Sequence, residues 1–257
     1  MPVSITSILK EAANRSIKRN GLILMGILFV LSSFSGLLGA GLAQYAGNQQ
    51  FMPVDAQTAA LVVLPPLVAG LLSLVVGLVS LVVSIGAIRV FVSDETERLP
   101  REYFTRNMGW AVLNFIVGAI VFGIAVGLGL VALILPGIFL LVSLLFWSAF
   151  VAVEDQNFIE GFRSSWGLTR GHRLKLLLLG IAVALIALVV GAVFGLGAVG
   201  GVFVGFVLVQ AGSAIVTVFS TAALAIAYTE LTALRDEEDR LSVEGEPMSP
   251  RSGTEPV

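Results

Sequence analysis

Six long apolar runs, separated by short polar segments, set the pattern of this chain. They cover about residues 21–43, 67–91, 108–134, 137–153, 174–196 and 201–228. At about 1.5 Å of rise per helical residue, five of them can cross a hydrocarbon core of roughly 30 Å, and the fourth is short but within the accepted range of span lengths. Inside a bilayer, backbone N–H and C=O groups find no outside partner, so each run must satisfy them internally as a helix. The expected fold is all-α: a polytopic transmembrane helical bundle with six spans.

The polar segments carry a periodicity of their own. In residues 1–20, Ile5, Ile8, Leu9, Ala12, Ala13 and Ile17 recur at helical spacing, with Lys10, Glu11, Arg15, Lys18 and Arg19 mostly elsewhere. This predicts an amphipathic interfacial helix, capped by Ser4 and ended by Asn20-Gly21. A second amphipathic segment, with Ile159, Phe162 and Trp166 on one face, follows the acidic break Glu154-Asp155. In it Glu160 and Arg163 are spaced as an i, i+3 pair, and Gly171 is a stop. Pro100 suits the first turn of a short helix in the charged stretch 93–107, with Tyr103 and Phe104 as interfacial residues. Pro65-Pro66 marks the entry to the second span, and Arg89, near its end, is long enough to snorkel to the headgroups.

Leu135-Pro136-Gly137 reads as a tight turn between spans three and four, and the Gly-rich residues 195–201 as the turn between five and six. Residues 230–257 hold eight acidic residues against three arginines and predict a disordered acidic cytoplasmic tail. The first run, with its basic lead-in and small-residue end at Gly39–Ala43, also resembles a signal peptide. Its length and the amphipathic helix before it favour a retained span.

Charge fixes an orientation. Lys10, Arg15, Lys18 and Arg19 precede span one; Arg89, Arg98, Arg101 and Arg106 link spans two and three. Arg163, Arg170, Arg173 and Lys175 link four and five; Arg235, Arg240 and Arg251 follow six. All 15 basic residues therefore fall on one side, which the positive-inside rule makes cytoplasmic. A multi-pass protein of the cell membrane with both termini cytoplasmic is expected. Arg19, Arg106 and Arg170, each ending a surface segment before a hairpin of two spans, suggest a threefold repeat; any positive-inside hairpin protein would also look so.

Composition agrees: 57% of residues are hydrophobic, 12% are charged, and mean hydropathy is +0.98. Soluble domains carry about 25% charged residues. A net charge of -2 argues against a nucleic-acid partner. Without cysteine and with His172 as the one histidine, disulfides, thiolate nucleophiles and histidine-rich metal sites are ruled out. No catalytic motif occurs, so no enzyme, cofactor or metal is expected.

Asn114, Gln210, Ser213 and Thr217 are the polar candidates within spans, read as interhelical hydrogen bonds or as the path of a neutral solute. Gly123/Gly127, Gly191/Gly195 and Gly201/Gly205 are read as packing within the bundle rather than as a homodimer face. Glu154, Asp155 and Glu160 suit a solvated acidic cap better than an acid/base or metal site. Arg163, Arg170, Arg173 and Lys175, with His172 beside them, are candidates for contact with anionic lipid headgroups, set against plain positive-inside anchoring.

The residues Leu135-Pro136-Gly137-Ile138, Val153-Glu154-Asp155 and Gly161-Phe162-Arg163-Ser164-Ser165-Trp166-Gly167-Leu168-Thr169-Arg170-Gly171 carry a resemblance. They are similar to an uncharacterised six-span family common in haloarchaea, allied to the membrane domain attached to some bacterial glycerophosphoryl diester phosphodiesterases. The catalytic activity there belongs to a separate soluble domain, so the resemblance implies a membrane fold and not hydrolysis. The expected function is structural or accessory, organising lipid or a partner. The alternative is a transporter or channel for a neutral or lipidic substrate using Asn114 and Gln210.

Overall fold

A computed structural model describes residues 4–46, 64–93, 95–97 and 99–244, and all regular structure among them is helical. The α-helices are α1 Ile5–Ile17, α2 Arg19–Ala46, α3 Pro66–Val92, α4 Glu102–Thr105, α5 Met108–Ala132, α6 Ile134–Ser143, α7 Trp147–Val153, α8 Phe158–Leu168, α9 Arg173–Gly195 and α10 Val202–Glu244. A 3-10 turn, Leu196–Gly200, joins α9 to α10. Six stretches are long and apolar enough to cross a membrane, with α6 and α7 together forming the fourth, Ile134–Val153. Their outer faces are apolar, Val131 being 87% and Leu188 67% exposed. Water would not tolerate apolar surface on this scale; lipid does.

Helix α10 is the centre, with α1, α2, α3 and α9 packed around it. Its alanines 222, 223, 225 and 227 are all buried, and such small residues let neighbouring backbones approach closely. Helix α1 is built into this core: Ile8, Ala12 and Ser16 are buried, while Ile17 on the predicted apolar face is exposed. Ser4 sits at the N-cap position, but its hydroxyl pairs with that of Thr6 instead of capping. Arg15 binds Glu11 at 2.8 Å and the carbonyls of Phe91 and Ser93 at 3.1 Å, tying α1 to the end of α3. The same Arg15 contact holds the Glu11 carboxyl below the usual carboxylate range.

Several expected boundaries move. Helix α1 ends at Lys18, which is extended, and Asn20-Gly21 belong to the first turn of α2. A Cβ on Gly21 would lie 2.2 Å from the Ser16 carbonyl oxygen, so this glycine serves a close chain crossing and not a stop. Between spans three and four the reversal is made at Leu133 (φ -159°, ψ 130°), and Leu135-Pro136-Gly137 lies inside α6. Proline fits an opening helical turn because the N–H it lacks would be unpaired there anyway. Gly137 packs on α5, where a Cβ would come within 2.6 Å of the Leu130 nitrogen.

The fourth span is also broken, its helix interrupted at Leu144–Phe146. Residues 230–244, expected to be disordered, continue α10 as helix; the rest of the predicted tail, 245–257, lies outside the described residues. Extending an existing helix needs no new nucleus, and Ala233, Leu234, Arg235 and Glu237 all favour helix. Finally, Cβ atoms on Gly123, Gly127, Gly191 and Gly195 would meet open space, so these glycines do not pack within the bundle as expected. Gly201 has φ +102° and serves the turn into α10.

Candidate functional site

Arg89, expected to reach outward to the headgroups, is instead 5% exposed and enclosed by three other segments. Its Nε donates to the carbonyl of Ala152, at the end of α7. Nη1 donates to the carbonyls of Tyr103 at 3.1 Å and Arg106 at 2.8 Å, and Nη2 to Asp155 Oδ1 at 3.3 Å. A planar guanidinium presents five donors in a fixed fork, which is why one side chain can hold this many acceptors. The pull toward solvent loses because these carbonyls, at helix ends, need donors too.

Asp155 completes the junction. Its Oδ2 accepts from Arg106 Nη2 at 3.0 Å and from Asn107 Nδ2 at 3.4 Å. Asp155 and Asn107 both have positive φ, 54° and 44°, a conformation that aspartate and asparagine tolerate better than other non-glycine residues. Glu154 turns the other way and accepts from the Tyr228 hydroxyl of α10, while Phe146 and Phe150 pack against the Tyr228 ring. The acidic pair therefore also ties α3, α5, α7 and α10 together, although Glu154 stays exposed. The cap of α8 is Asn157, which accepts from the Glu160 N–H at 2.9 Å while Glu160 accepts from the Asn157 N–H. Glu160 is engaged there and forms no ion pair with Arg163. A cleft of about 330 Å³ lies beside Arg89, bounded by Ser93, Glu102, Tyr103, Arg106 and Val153.

The candidate lipid contacts divide. Arg163, Arg170 and Lys175 are exposed and have no ion-pair partner among the described residues. Arg173 is drawn inward, its guanidinium carbon 4.5 Å from the Phe139 ring centre and 4.7 Å from that of Trp166. Both aromatic faces attract the cation, so Arg173 ties α9 to α6 and α8.

Asn114 and Gln210 do not share a site. Asn114 is buried, accepts from the Phe158 N–H at 3.1 Å and donates to the Trp110 carbonyl, fixing where α8 begins. Gln210, Ser213 and Thr217 line a separate groove between α2, α3 and α10. No group of three metal-ligating side chains occurs among the described residues.

A family model described as a domain of unknown function, DUF7847, matches residues 3–231. The chain belongs to the DUF7847 family. The match takes in α1 through the bundle portion of α10 and leaves out the acidic end of that helix. No curated protein and no solved structure matches the chain.

Two functional positions of this DUF7847 bundle escape a reading of its sequence. Helix α8 doubles back along α7, and Ser165 reaches the break in the fourth span. There its Oγ accepts from the Phe146 N–H and donates to the Ser143 carbonyl, each at 3.1 Å. Thr169 Oγ1 donates to the same carbonyl at 3.2 Å. Ser165 and Thr169 are both 0% exposed, so two hydroxyls replace the backbone partners that the interrupted helix gives up. The signal was present in Ser165-Trp166-Gly167-Leu168-Thr169, where hydroxyls at i and i+4 share the face of Leu168 and not that of Arg163.

Proposed function

We propose that the protein is a non-enzymatic multi-pass component of the cell membrane, both termini cytoplasmic, that gathers anionic lipid against its cytoplasmic face. One observation carries this reading. Lys10, Lys18, Arg19, Arg101, Arg163, Arg170 and Lys175 are exposed and lack ion-pair partners among the described residues, whereas Arg15, Arg89 and Arg106 are bound to acids. Read as six single crossings, the chain assigns all seven to one side of the membrane, where each is worth about 1 kcal/mol against an anionic leaflet. Amphipathic α1 and α8, locked into the core, hold this belt at a fixed height. The resemblance of about Leu135 to Leu178 to a six-span family allied to the membrane domain of some phosphodiesterase fusions supports a membrane role without hydrolysis.

The test is purification in mild detergent with lipids identified by mass spectrometry. Anionic lipids should co-purify in excess over their membrane share, and the triple variant R163E/R170E/K175E should lose most of that excess. Equal lipid retention by variant and parent would sink the reading.

A further inference from the structure

We infer that the groove between α2, α3 and α10 is a binding site for a neutral, hydroxyl-bearing amphiphile such as a long-chain alcohol. It has a volume of about 420 Å³, and its polar lining is Ser32, Ser35, Ser80, Gln210, Ser213 and Thr217. The rest of the lining is apolar or glycine, and no charged side chain takes part. Each of these residues lies inside a membrane-length stretch: Arg19–Leu42, Pro66–Val92 or Val202–Ser242. Ser32 and Ser80 sit near the middle of theirs.

The polar groups are not all used. Ser32, Ser80 and Thr217 turn their hydroxyls back onto carbonyls of their own helices. Gln210 Nε2 donates to the Ser32 carbonyl at 3.1 Å. Gly36 makes room for that bond, since a Cβ there would lie 2.3 Å from Nε2. The Gln210 amide oxygen and the hydroxyls of Ser35 and Ser213, the two serines being exposed, have no hydrogen-bond partner among the described residues. Hydrocarbon chains offer nothing to such groups, and leaving them unpaired at this depth is costly.

A ligand that satisfies them must both donate and accept, must carry no charge, and must arrive through the bilayer. A hydroxyl on an apolar body meets all three demands, and the volume falls in the range of ligand pockets. An ion or a carboxylate would find no countercharge. The site stands apart from the basic belt and does not rest on it.

The test uses the full chain in lipid nanodiscs and hexadecanol carrying a diazirine in its chain. Peptides holding Ser32–Gly36, Ser80 or Gln210–Thr217 should take most of the label, and excess hexadecanol, but not hexadecane, should displace it. Q210L should lower labelling by about three- to tenfold, the value of one hydrogen bond. S213L, which fills the groove from its exposed rim and leaves the Gln210–Ser32 bond in place, should do the same if Q210L does not fold. R163E/R170E/K175E should label like the parent. Label no denser than on the lipid-facing Leu128–Val131 segment of α5, label unchanged in S213L, or equal displacement by hexadecane would each overturn the inference, leaving water as the occupant.

Discussion

Arg89 concentrates the chemistry of the junction in one side chain. Its Nη1 alone serves two carbonyls at the end of α4 while Nε and Nη2 reach Ala152 and Asp155, which a lysine ammonium at the same place cannot match in geometry. Arg89→Lys should therefore keep the charge and still destabilise the folded protein by ~2–4 kcal/mol, somewhat less than the ~3–5 kcal/mol of removing one partner of a buried pair outright. Thermal unfolding in detergent, followed by size-exclusion recovery, would measure this; an R89K protein as stable as its parent would refute the role given to the fork. Asp155→Asn should cost less, because three carbonyls still hold the guanidinium.

At the scale of elements, the interrupted fourth span depends on α8. Ser165→Ala removes the acceptor of the Phe146 N–H and one donor to the Ser143 carbonyl, leaving both buried. The expected loss is about 1–3 kcal/mol, the desolvation cost of an unpaired buried group. Amide hydrogen exchange should rise locally at residues 144–146, and exchange unchanged there would contradict the coupling. This element also marks the limit of what the sequence reveals. The six spans were legible because hydropathy reports transfer into lipid residue by residue. The break was not, because Leu144-Leu145-Phe146 is as apolar as an unbroken span. Arg89's position was hidden for a related reason: its main partners are backbone carbonyls, which no side-chain pattern advertises. The helical end of α10 was missed because composition was weighed there without the helix it continues.

For the whole molecule, orientation is the property with the widest consequences. The chain has no cysteine, so a single introduced thiol reports its own side without background. Cysteines replacing Gln50 and Gln156 should react with impermeant maleimide from opposite faces of sealed vesicles, Gln156 from the cytoplasmic face. Both reacting from one face would remove the six-span topology and with it the single-sided basic belt. Inside that topology α10 acts as the mast: α1 and α2 from one end of the chain and α9 from the other are assembled on it.

The hydroxyl graft at Ser143–Phe146 carries a consequence for biosynthesis. Ser165 and Thr169 lie about twenty residues after the break they complete, so they emerge from the ribosome later than it does. Until α8 emerges and turns back, the nascent chain carries unpaired backbone groups that lipid cannot accept. The fourth span is therefore expected to complete its packing only once α8 has followed it out and turned back.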